Sequence, residues 1–319
     1  IANARALVEQ KYNWRMIAEQ MGNIFSSARP LKDLLLATGI FPPDIGGSAS
    51  YSALVAQQLP FRGYRVSVLA YGSGSGPGAH FVSRRLPKPL RHGVFFFKAL
   101  TLSARADVVL CADASFGAGF FAVLAARLAW KRAFVRVTGD YAWEQGAQRF
   151  GVTDLMDDFQ KSRYGLRVEL LRMLQAWTVR LAHMVIAPSV YLKGIAVGWG
   201  VPEKKIRVVY NAVEVPEKVE DRIHARAQLH LEGRVIVSAG RLVPWKGFTV
   251  LMKAFADLKK HIPNVLLVII GSGPQEAELK AYAQTISAED AIRFTGALPK
   301  NELHRYLSAA DVFALNTTY

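Results

Sequence analysis

Residues 234–274 (RVIVSAGRLVPWKGFTVLMKAFADLKKHIPNVLLVIIGSGP) decide the fold class of this chain. The apolar run Arg234–Ala239 predicts a strand, Gly247–His261 a helix and Asn264–Ile270 a second strand. Two strands joined through a helix normally pair in parallel, with the helix packed on one face of the sheet. The stretch therefore predicts an α/β domain in which glycine-containing loops follow both strands.

The alternation of strands and helices continues on both sides of this unit. After it we expect helices over Gln275–Ser287 and Asn301–Ala309 and strands over Ile292–Thr295 and Val312–Leu315. Before it, the predicted strands are Leu31–Thr38, Tyr64–Ala70, Asp107–Cys111, Ala133–Thr138 and His183–Ala187, and the predicted helices are Ala49–Arg62 and Gly165–Ala182. The longest helix candidate, Gly165–Ala182, has an apolar stripe, which consists of Leu166, Leu170, Leu174, Trp177 and Leu181. The pattern predicts parallel sheets with helices on both faces.

Length and composition predict two globular domains. The 319 residues are about twice the usual domain length, and 51% hydrophobic with 20% charged residues exclude wholesale disorder. The polar, proline-containing stretch 213–221 (VEVPEKVED) is the predicted linker between Rossmann-like domains at 31–212 and 222–319. We expect the second domain to be incomplete, because it supplies fewer strands than a doubly wound domain needs.

Three features favour a cytoplasmic setting. No uninterrupted apolar run is long enough to span a membrane, and no signal-peptide pattern is present. The single cysteine, Cys111, cannot form an internal disulfide. We therefore expect a reducing, cytoplasmic location.

The charge is concentrated in the first two thirds of the chain. Of the net charge of +15, residues 1–210 carry +14, from 27 basic and 13 acidic residues. Such a surface suits phospholipid headgroups, pyrophosphate-linked substrates or nucleic acid, and the alternative is a solvated basic face. Trp130 and the run Phe95–Phe97 lie among the basic residues and could insert at a membrane interface; the alternative for the three phenylalanines is a place in the core. We predict a peripheral protein on the cytoplasmic face of an anionic membrane.

In each predicted domain, a glycine-containing loop follows the first strand, at the end of the sheet where open parallel sheets bind ligands. In Gly39–Ser50, Gly46 and Gly47 allow the backbone to approach a ligand closely, and Ser48 can cap a helix whose N-terminal amides favour phosphate. A plain strand–helix turn is the alternative. In Gly240–Gly247, Arg241 and Lys246 place two permanent cations beside a helix start. They could neutralise a diphosphate leaving group without a metal, or they are two exposed surface cations.

Three further segments offer ligand-binding groups. The loops Gly271–Pro274 and Gly296–Pro299 follow strands, and the backbone of such loops commonly holds a nucleobase or ribose. A plain turn is the alternative for each of them. In Thr138–Glu144 (TGDYAWE), aromatic and acidic side chains suit a sugar; these are Asp140, Tyr141, Trp143 and Glu144. The alternative places the two aromatic residues in the core and both acids in solvent. No histidine or cysteine spacing is typical of a metal site.

Six motifs occur in order along the chain: FPPDIGGSASY, VVYNAVEVP, SAGRLVPWKG, VIIGSGP, FTGALP and AADVFALNTTY. Together they resemble the retaining family-4 glycosyltransferases of the GT-B fold. The resemblance covers Leu31 to Tyr319. It implies two facing Rossmann-like domains, with the acceptor in the N-terminal domain and the nucleotide-sugar donor mainly in the C-terminal one. It also implies that neither a metal nor another cofactor takes part.

Residue roles follow from the resemblance alone. It implies that Gly46 and Gly47 approach the donor pyrophosphate from across the cleft and that Arg241 and Lys246 hold its phosphates. The remaining implied positions are Gly273 and Leu298 in the nucleoside pocket and Asn211 at the interdomain crossing.

Two departures from the family pattern concern catalysis. Many members carry a histidine where this chain reads TGD, and the nearest acidic equivalent is Asp140, which would orient the sugar or take a proton. The Glu-x7-Glu motif of the family is missing, because the chain stops at Tyr319 just before its expected place. Residues 1–28 resemble the C-terminal helix of the same family. A fragment of a tandem fusion, a circular permutation with a deletion, or an ordinary amphipathic helix would each explain this.

Three function hypotheses follow. The first is a metal-independent, retaining hexosyltransferase that moves a hexose from a nucleotide-diphospho-sugar to a lipid-linked or polysaccharide-precursor hydroxyl. The second is a catalytically silent nucleotide- or glycan-binding fragment, because the glutamate motif is missing. The third, a basic nucleic-acid binder, rests on net charge without any recognised motif, so no nucleic-acid partner is expected.

Overall fold

The computed structural model of the protein describes residues 12–26, 33–44, 46–74, 76, 78–212 and 219–317. The chain divides into two compact units, Ile1–Gly146 with Asp157–Val215 and Ala147–Met156 with Pro216–Tyr319. This division assigns Ala147–Met156 to the second unit, unlike the predicted domains 31–212 and 222–319. Residues 213–218 of the predicted linker lie outside the described residues.

The first unit is built on a seven-stranded parallel sheet. Its strands are β1 (Asp33–Thr38), β2 (Arg65–Tyr71), β3 (Ala79–Val82), β4 (Val108–Cys111), β5 (Arg132–Arg136), β6 (Met184–Ala187) and β7 (Ile206–Val208). They lie in the order β3-β2-β1-β4-β5-β6-β7. Leu36 of β1 pairs with Val68 of β2 and with Leu110 of β4. Residues 34–38 of β1 are all buried, as expected for a central parallel strand that is covered on both faces.

Helices cover both faces of this sheet. Along residues 12–212 they are α1 (Trp14–Ser26), α2 (Gly47–Gln58), α3 (Lys88–Arg105), α4 (Ala118–Leu128), α5 (Tyr141–Arg149), α6 (Met156–Lys161), α7 (Leu166–Leu181) and α8 (Val190–Gly198). Right-handed crossovers place α2 on one face, and α3, α4 and α7 on the other. In that second layer, α4 packs against both α3 and α7.

The amphipathic helix predicted within residues 1–28 is present as α1. Its buried side chains Ile17 and Met21 join the core cluster that contains Leu34 and Tyr51. The hydroxyl of Tyr51 lies 3.3 Å from the sulfur of Met21. Residues 1–11 and 27–28 lie outside the described residues.

The second unit contains a four-stranded parallel sheet in the order β10-β9-β8-β11. Its elements are β8 (Arg234–Ala239), β9 (Val265–Ile270), β10 (Ile292–Gly296) and β11 (Val312–Phe313), with α9 (Arg222–Leu229), α10 (Phe248–Lys259), α11 (Glu276–Thr285) and α12 (Lys300–Ala309). Because side chains alternate along a strand, Leu267 and Ile269 pack with Phe255 in one core cluster, whereas Val268 and Ile270 belong to another. Both faces of β9 are therefore buried.

The apolar stripe predicted on Gly165–Ala182 does not form part of the core. Helix α7 is present, but its buried side chains are Val168, Gln175, Thr178 and Val179, and Leu166 is 85% exposed. Two of the buried residues are polar, and hydrogen bonds offset their burial, since Thr178 donates to the carbonyl of Leu174 at 2.8 Å. Helix α3, with 18 residues, is also longer than α7, with 16.

The aromatic residues of the basic segment divide between core and surface. Phe95 is fully buried in the structure, so it cannot insert into a membrane as one alternative predicted. Phe97 is 64% and Trp130 94% exposed, and both remain candidates for an interface. No helix among the described residues is long and apolar enough to cross a membrane.

Two strands escaped the sequence prediction. Ala79–Val82 and Ile206–Val208 form the two edge strands of the first sheet. Both are short, and each has only one buried residue, so neither produces a strong apolar run. All the strands that the sequence predicted are present, with ends shifted by at most two residues.

Candidate functional site

The loops after β8, β9 and β10 lie together at one edge of the second sheet. The backbone N–H of Leu242 donates to the carbonyl of Ser272 at 3.0 Å. The N–H of Gly271 donates to the carbonyl of Gly296 at 2.8 Å. The three loops that the sequence singled out in this domain are therefore one hydrogen-bonded cluster at the carboxyl ends of parallel strands, where ligands bind in such sheets.

Glycine is required at two points of this cluster. Gly271 has φ +139°, and a β-carbon there would collide with the carbonyl oxygen of Gly240. A β-carbon on Gly273 would collide with the backbone of Leu242. The loops approach each other so closely that no larger residue fits without a backbone shift.

Arg241 and Lys246 lie in the first loop of the cluster. Arg241 is exposed. Lys246 is half-buried and ends the single helical turn Pro244–Lys246, in which Trp245 is buried. Helix α10 begins two residues after Lys246, so the lysine adjoins the amides at the N-terminus of that helix. One cation beside the N-terminal amides of a helix, with a second exposed cation in the same loop, forms a setting that favours a phosphate group.

The other predicted donor residues of this unit lie at the same edge. Leu298 is half-buried, packs against a core cluster and precedes α12. The chain after β11 also reaches the first loop, since a β-carbon on Gly247 would collide with the carbonyl of Asn316. Asn316 escaped the residue-level prediction, although it lies in a segment that carries the family resemblance.

The first unit has a cavity of about 220 Å³ at the carboxyl edge of its own sheet. Its polar lining residues are Ser48, Asp113, Ser115, Thr138, Tyr141 and Glu144. The structure thus brings together Ser48, Tyr141 and Glu144, three of the predicted site residues. The predicted capping by Ser48 is wrong, because Gly46 is the N-cap of α2 and no side chain caps that helix. Hydroxyl and carboxylate groups around a small cavity can hydrogen-bond the hydroxyls of a sugar.

Asp113 is a cavity residue that the sequence analysis missed. Its Oδ2 accepts a hydrogen bond from the N–H of Gly39 at 3.0 Å, and its Oδ1 accepts from the N–H of Ser115 at 3.0 Å. The Ser115 hydroxyl also donates to Oδ1. Asp113 therefore ties together the loops after β1 and β4. Its place directly after a buried apolar strand was the available signal.

Gly46 and Gly47 lie at the start of α2, above the same sheet edge. Gly46 precedes the helix with φ +156°, and its carbonyl accepts the N–H of Ser50 at 3.0 Å. A β-carbon on Gly47 would meet nothing within 4 Å. The space beside the backbone of Gly47 is therefore open, which is compatible with the predicted close approach of a ligand.

Asp140 occupies a different environment from the one that its predicted catalytic role requires. Its carboxylate is 1% exposed and accepts hydrogen bonds from the N–H of Trp143 at 3.0 Å and from Gln160 Nε2 at 2.7 Å. Gln175 Nε2 donates to it at 3.2 Å. Burial raises the pKa of this carboxyl, while these hydrogen bonds oppose the rise. Because this carboxylate is buried and its oxygens already accept three hydrogen bonds, it is not positioned to contact a sugar directly.

Trp143 is also buried, so the alternative that placed this aromatic residue in the core is the correct one. Tyr141 and Glu144 flank it on the same helix, are half-buried, and line the cavity. The TGDYAWE segment thus contributes both to the core and to the candidate site.

Asn211 is held by a buried cation. Arg136, at the end of β5, is 6% exposed, and its Nη2 donates to Oδ1 of Asn211 at 2.6 Å. The guanidinium carbon also lies 3.8 Å from the ring centroid of Tyr51. Burial lowers the pKa of Arg136, and Tyr51 and Asp113 oppose that effect. Sequence analysis missed Arg136, whose only signal was a charge at the end of a buried strand.

An aromatic cluster adjoins the cavity. Tyr71 hydrogen-bonds His92 Nδ1 at 2.8 Å, and the His92 ring stacks on Phe121 at 5.4 Å between centroids. Phe116, next to the cavity residue Ser115, lies 5.8 Å from His92. Burial and two neighbouring cations lower the pKa of His92, so this ring is neutral at pH 7. An apolar, half-buried surface thus adjoins the polar cavity.

Comparison with known families matches both parts of the chain. Residues 45–216 match the family described as Glycosyltransferase Family 4, and residues 219–319 match Glycosyl transferases group 1. Among the described residues, no group of three or more His, Cys, Asp or Glu side chains could hold a metal ion.

Curated relatives match over part of their length. The alpha-monoglucosyldiacylglycerol synthase of Streptococcus pneumoniae is 31% identical over 42% of this chain and 32% of that protein. The lipopolysaccharide core biosynthesis glycosyltransferase LpsD of Rhizobium meliloti is 28% identical over 56% of this chain and 48% of its own. The GDP-mannose-dependent alpha-(1-6)-phosphatidylinositol monomannoside mannosyltransferase of Mycolicibacterium smegmatis is 36% identical over 25% of this chain and 21% of that protein. The chain therefore spans less than half the length of these relatives.

Solved structures share the fold. Anabaena Alr3699/HepE in complex with UDP-glucose superposes with a TM-score of 0.67 at 18% identity, over 91% of this chain and 75% of that one. Sucrose-phosphate synthase from Thermosynechococcus elongatus superposes with a TM-score of 0.65 at 19% identity, over 90% of this chain and 76% of that one. These likenesses confirm the predicted fold class, an α/β protein of the GT-B type.

Proposed function

Since this chain belongs to Glycosyltransferase Family 4, we propose that it transfers a hexose from a nucleotide-diphospho-sugar to a hydroxyl group, with retention of the anomeric configuration. The proposed acceptor is a lipid-linked sugar or a polysaccharide precursor. The observation that carries the proposal is the joined cluster of loops after β8, β9 and β10, whose first loop contains exposed Arg241 and places Lys246 beside the N-terminus of α10.

The donor binds this cluster through its diphosphate. The guanidinium of Arg241 makes bidentate contacts to phosphate oxygens, and the ammonium of Lys246 adds a compact charge. Gly271 and Gly273 keep the neighbouring loops close, and the nucleoside lies between these loops and Leu298. Relatives support such a donor in kind, since the mycobacterial protein is described as GDP-mannose-dependent and HepE was solved with UDP-glucose.

The reaction exchanges one bond at the anomeric carbon of the sugar. The acceptor oxygen forms a bond to that carbon while the bond to the diphosphate oxygen breaks. Because the hydroxyl arrives on the face from which the diphosphate leaves, a departing phosphate oxygen can accept its proton. Arg241 and Lys246 stabilise the negative charge that develops on the diphosphate, a contribution made largely in the transition state. We propose no metal ion and no other cofactor for this step.

Asp140 has no direct part in this proposal, because its buried carboxylate is already hydrogen-bonded. We place the acceptor sugar instead in the cavity of the first unit, against Ser48, Tyr141 and Glu144. The adjoining aromatic cluster around His92 and Phe121 suits the apolar part of a lipid-linked acceptor. Two relatives named for glycolipid synthesis support this acceptor class.

The proposed location is the cytoplasmic face of a membrane, where a lipid-linked acceptor is presented. The net charge of +14 on residues 1–210 supports this location, because an anionic leaflet attracts basic surfaces.

A transfer assay tests the proposed activity. The protein is incubated with UDP-, GDP- and ADP-hexoses and with membrane extract or water-soluble acceptors, and the anomeric configuration of the product is read by NMR. We expect transfer with one donor and a product that keeps the donor configuration. Tight nucleotide binding without turnover would instead favour the catalytically silent fragment.

A further inference from the structure

Helix α7 presents an apolar stripe to solvent. Leu166 is 85% and Trp177 48% exposed, and three more exposed residues continue the same face: Leu170, Met173 and Leu181. Their spacing of three and four residues keeps all five on one side of the helix. The opposite side of the helix packs into the unit through the buried residues Val168 and Val179, so the stripe faces away from the core.

Exposed cations border this stripe. Arg167 and Arg180 lie on its two margins, and both residues are exposed. The acidic residue of the helix, Glu169, is already paired with Arg172 at 3.0 Å. The stripe therefore has an apolar centre and a basic rim.

The neighbouring helices of the same layer have the same character. Helix α3 carries Lys88, Arg91, Lys98 and Arg105 and no acidic residue. Helix α4 likewise has none, and its C-terminal end leads to Trp130, which is 94% exposed. Across α3, α4 and α7 there are eight basic residues and one acidic residue. This layer accounts for much of the positive charge of the first unit.

The charge pattern selects the occupant of this face. A second copy of the chain packed through the stripe would bring the Arg167 and Arg180 side chains of two molecules together, and like charges at such an interface oppose association. An anionic bilayer offers the complement, because its headgroups attract the basic rim and its acyl boundary accepts apolar side chains. A tryptophan in such a stripe suits the headgroup region.

We propose that the α3–α4–α7 face docks reversibly on an anionic bilayer, with the α7 stripe inserting between the headgroups. The inference specifies the surface for the membrane location proposed above, and it does not depend on the transfer reaction. It assigns the contact to the apolar stripe that the sequence pattern identifies on α7 and that the structure leaves exposed.

Vesicle co-sedimentation tests the proposal. Vesicles of pure phosphatidylcholine and of phosphatidylcholine with 30 mol% phosphatidylglycerol (a chosen composition of roughly physiological charge) are compared at low and high salt. We expect strong partitioning to the anionic vesicles at low salt, weakened by salt. We also expect the variant Leu170→Ser/Met173→Ser/Trp177→Ser to bind about tenfold more weakly, which corresponds to about 1.4 kcal/mol.

A matched control uses apolar residues that are exposed on the second unit. Ile223→Ser/Val250→Ser removes similar exposed surface, and we expect it to bind vesicles like the wild type. Circular dichroism and thermal unfolding check that both variants fold. Equal partitioning to both lipids, or unchanged binding by the triple variant, would overturn the proposal.

Sedimentation equilibrium without lipid covers the competing occupant. A dimer that the triple variant abolishes would assign the stripe to a second copy and would also overturn the proposal. Transfer to a water-soluble acceptor is measured in parallel. We expect this transfer activity to be unchanged in the triple variant. If the wild type binds anionic vesicles but transfers no sugar, the proposed function is contradicted and the docking proposal is not.

Discussion

Arg136 Nη2 lies 2.6 Å from Asn211 Oδ1, so a buried guanidinium fixes the side chain of Asn211. The two residues are 75 positions apart in the sequence, and the sheet brings them together from the end of β5 and the segment after β7. The bond gives Asn211 a defined orientation at the carboxyl edge of the first sheet. Asn211 thus has a structural function, whereas its place at the interdomain crossing is what the resemblance implies.

Replacing Asn211 with alanine should destabilise the protein. The guanidinium of Arg136 would lose its acceptor while remaining buried, and a buried unsatisfied donor costs about 1–3 kcal/mol. Urea unfolding followed by circular dichroism measures the change. In a double-mutant cycle with Arg136→Met, we expect the two losses to be less than additive. Strict additivity would show that the bond contributes nothing to stability.

Gly271→Ala should disrupt the loop cluster of the second unit. The new β-carbon would collide with the carbonyl of Gly240, at a φ of +139° that alanine rarely adopts. We expect a loss of at least 2 kcal/mol in unfolding free energy, roughly the upper range for strain of this kind. Gly194→Ala is the control, because Gly194 lies within α8 and a β-carbon there meets nothing within 4 Å. That variant should be neutral or slightly more stable.

The pH dependence of stability should change when Asp140 is replaced. Burial raises the pKa of its carboxyl, so the folded state favours the protonated form. The stability that this group contributes is complete at pH values below its unfolded pKa, and it is lost as the pH rises through the folded pKa. The unfolding free energy of the wild type, relative to Asp140→Asn, should therefore fall over the window that begins at about pH 4, the ordinary pKa of an aspartate, and extends through its raised folded pKa. A difference that stays constant or rises over this window contradicts the assignment.

Glu144→Ala should affect the acceptor and not the donor. The carboxylate lines the cavity of the first unit, and losing one charged hydrogen bond to a sugar costs about 1.5–3 kcal/mol. We expect the KM for the acceptor to rise about tenfold or more while nucleotide affinity is unchanged. An equal loss of nucleotide affinity would place Glu144 elsewhere in the mechanism. Exposed Glu289 of the second unit provides the control, as Glu289→Ala.

The strand–helix repetition and the ligand loops were predictable because their signals are local. The run NVLLVII and the glycines after it identify β9 and its loop without any knowledge of the rest of the chain. Close approach of that loop to Gly240 is what makes Gly271 necessary. The sequence therefore predicted the strand and its loop, and the structure shows which neighbouring loop it contacts.

Features that depend on tertiary packing were not predictable. The periodicity of α7 identifies an apolar face but not the side that packs against the rest of the unit, and the face that is buried carries Gln175 and Thr178. Gln175 is buried because Asp140 accepts its amide, and that pairing crosses 35 positions. The bond between Arg136 and Asn211 is hidden for the same reason. In each case a polar residue is buried by a partner that sequence spacing does not reveal.

Nucleotide binding to the Arg241→Ala variant tests the central claim most directly. Titration calorimetry with UDP, GDP and ADP identifies the preferred nucleotide of the wild type, and the same titration is then repeated on Arg241→Ala. Lys259→Ala, at the far end of α10, is the control. We predict that Arg241→Ala weakens binding of the preferred diphosphate about tenfold or more, while the control binds normally. Unchanged affinity in Arg241→Ala would contradict the assignment of the diphosphate to this loop.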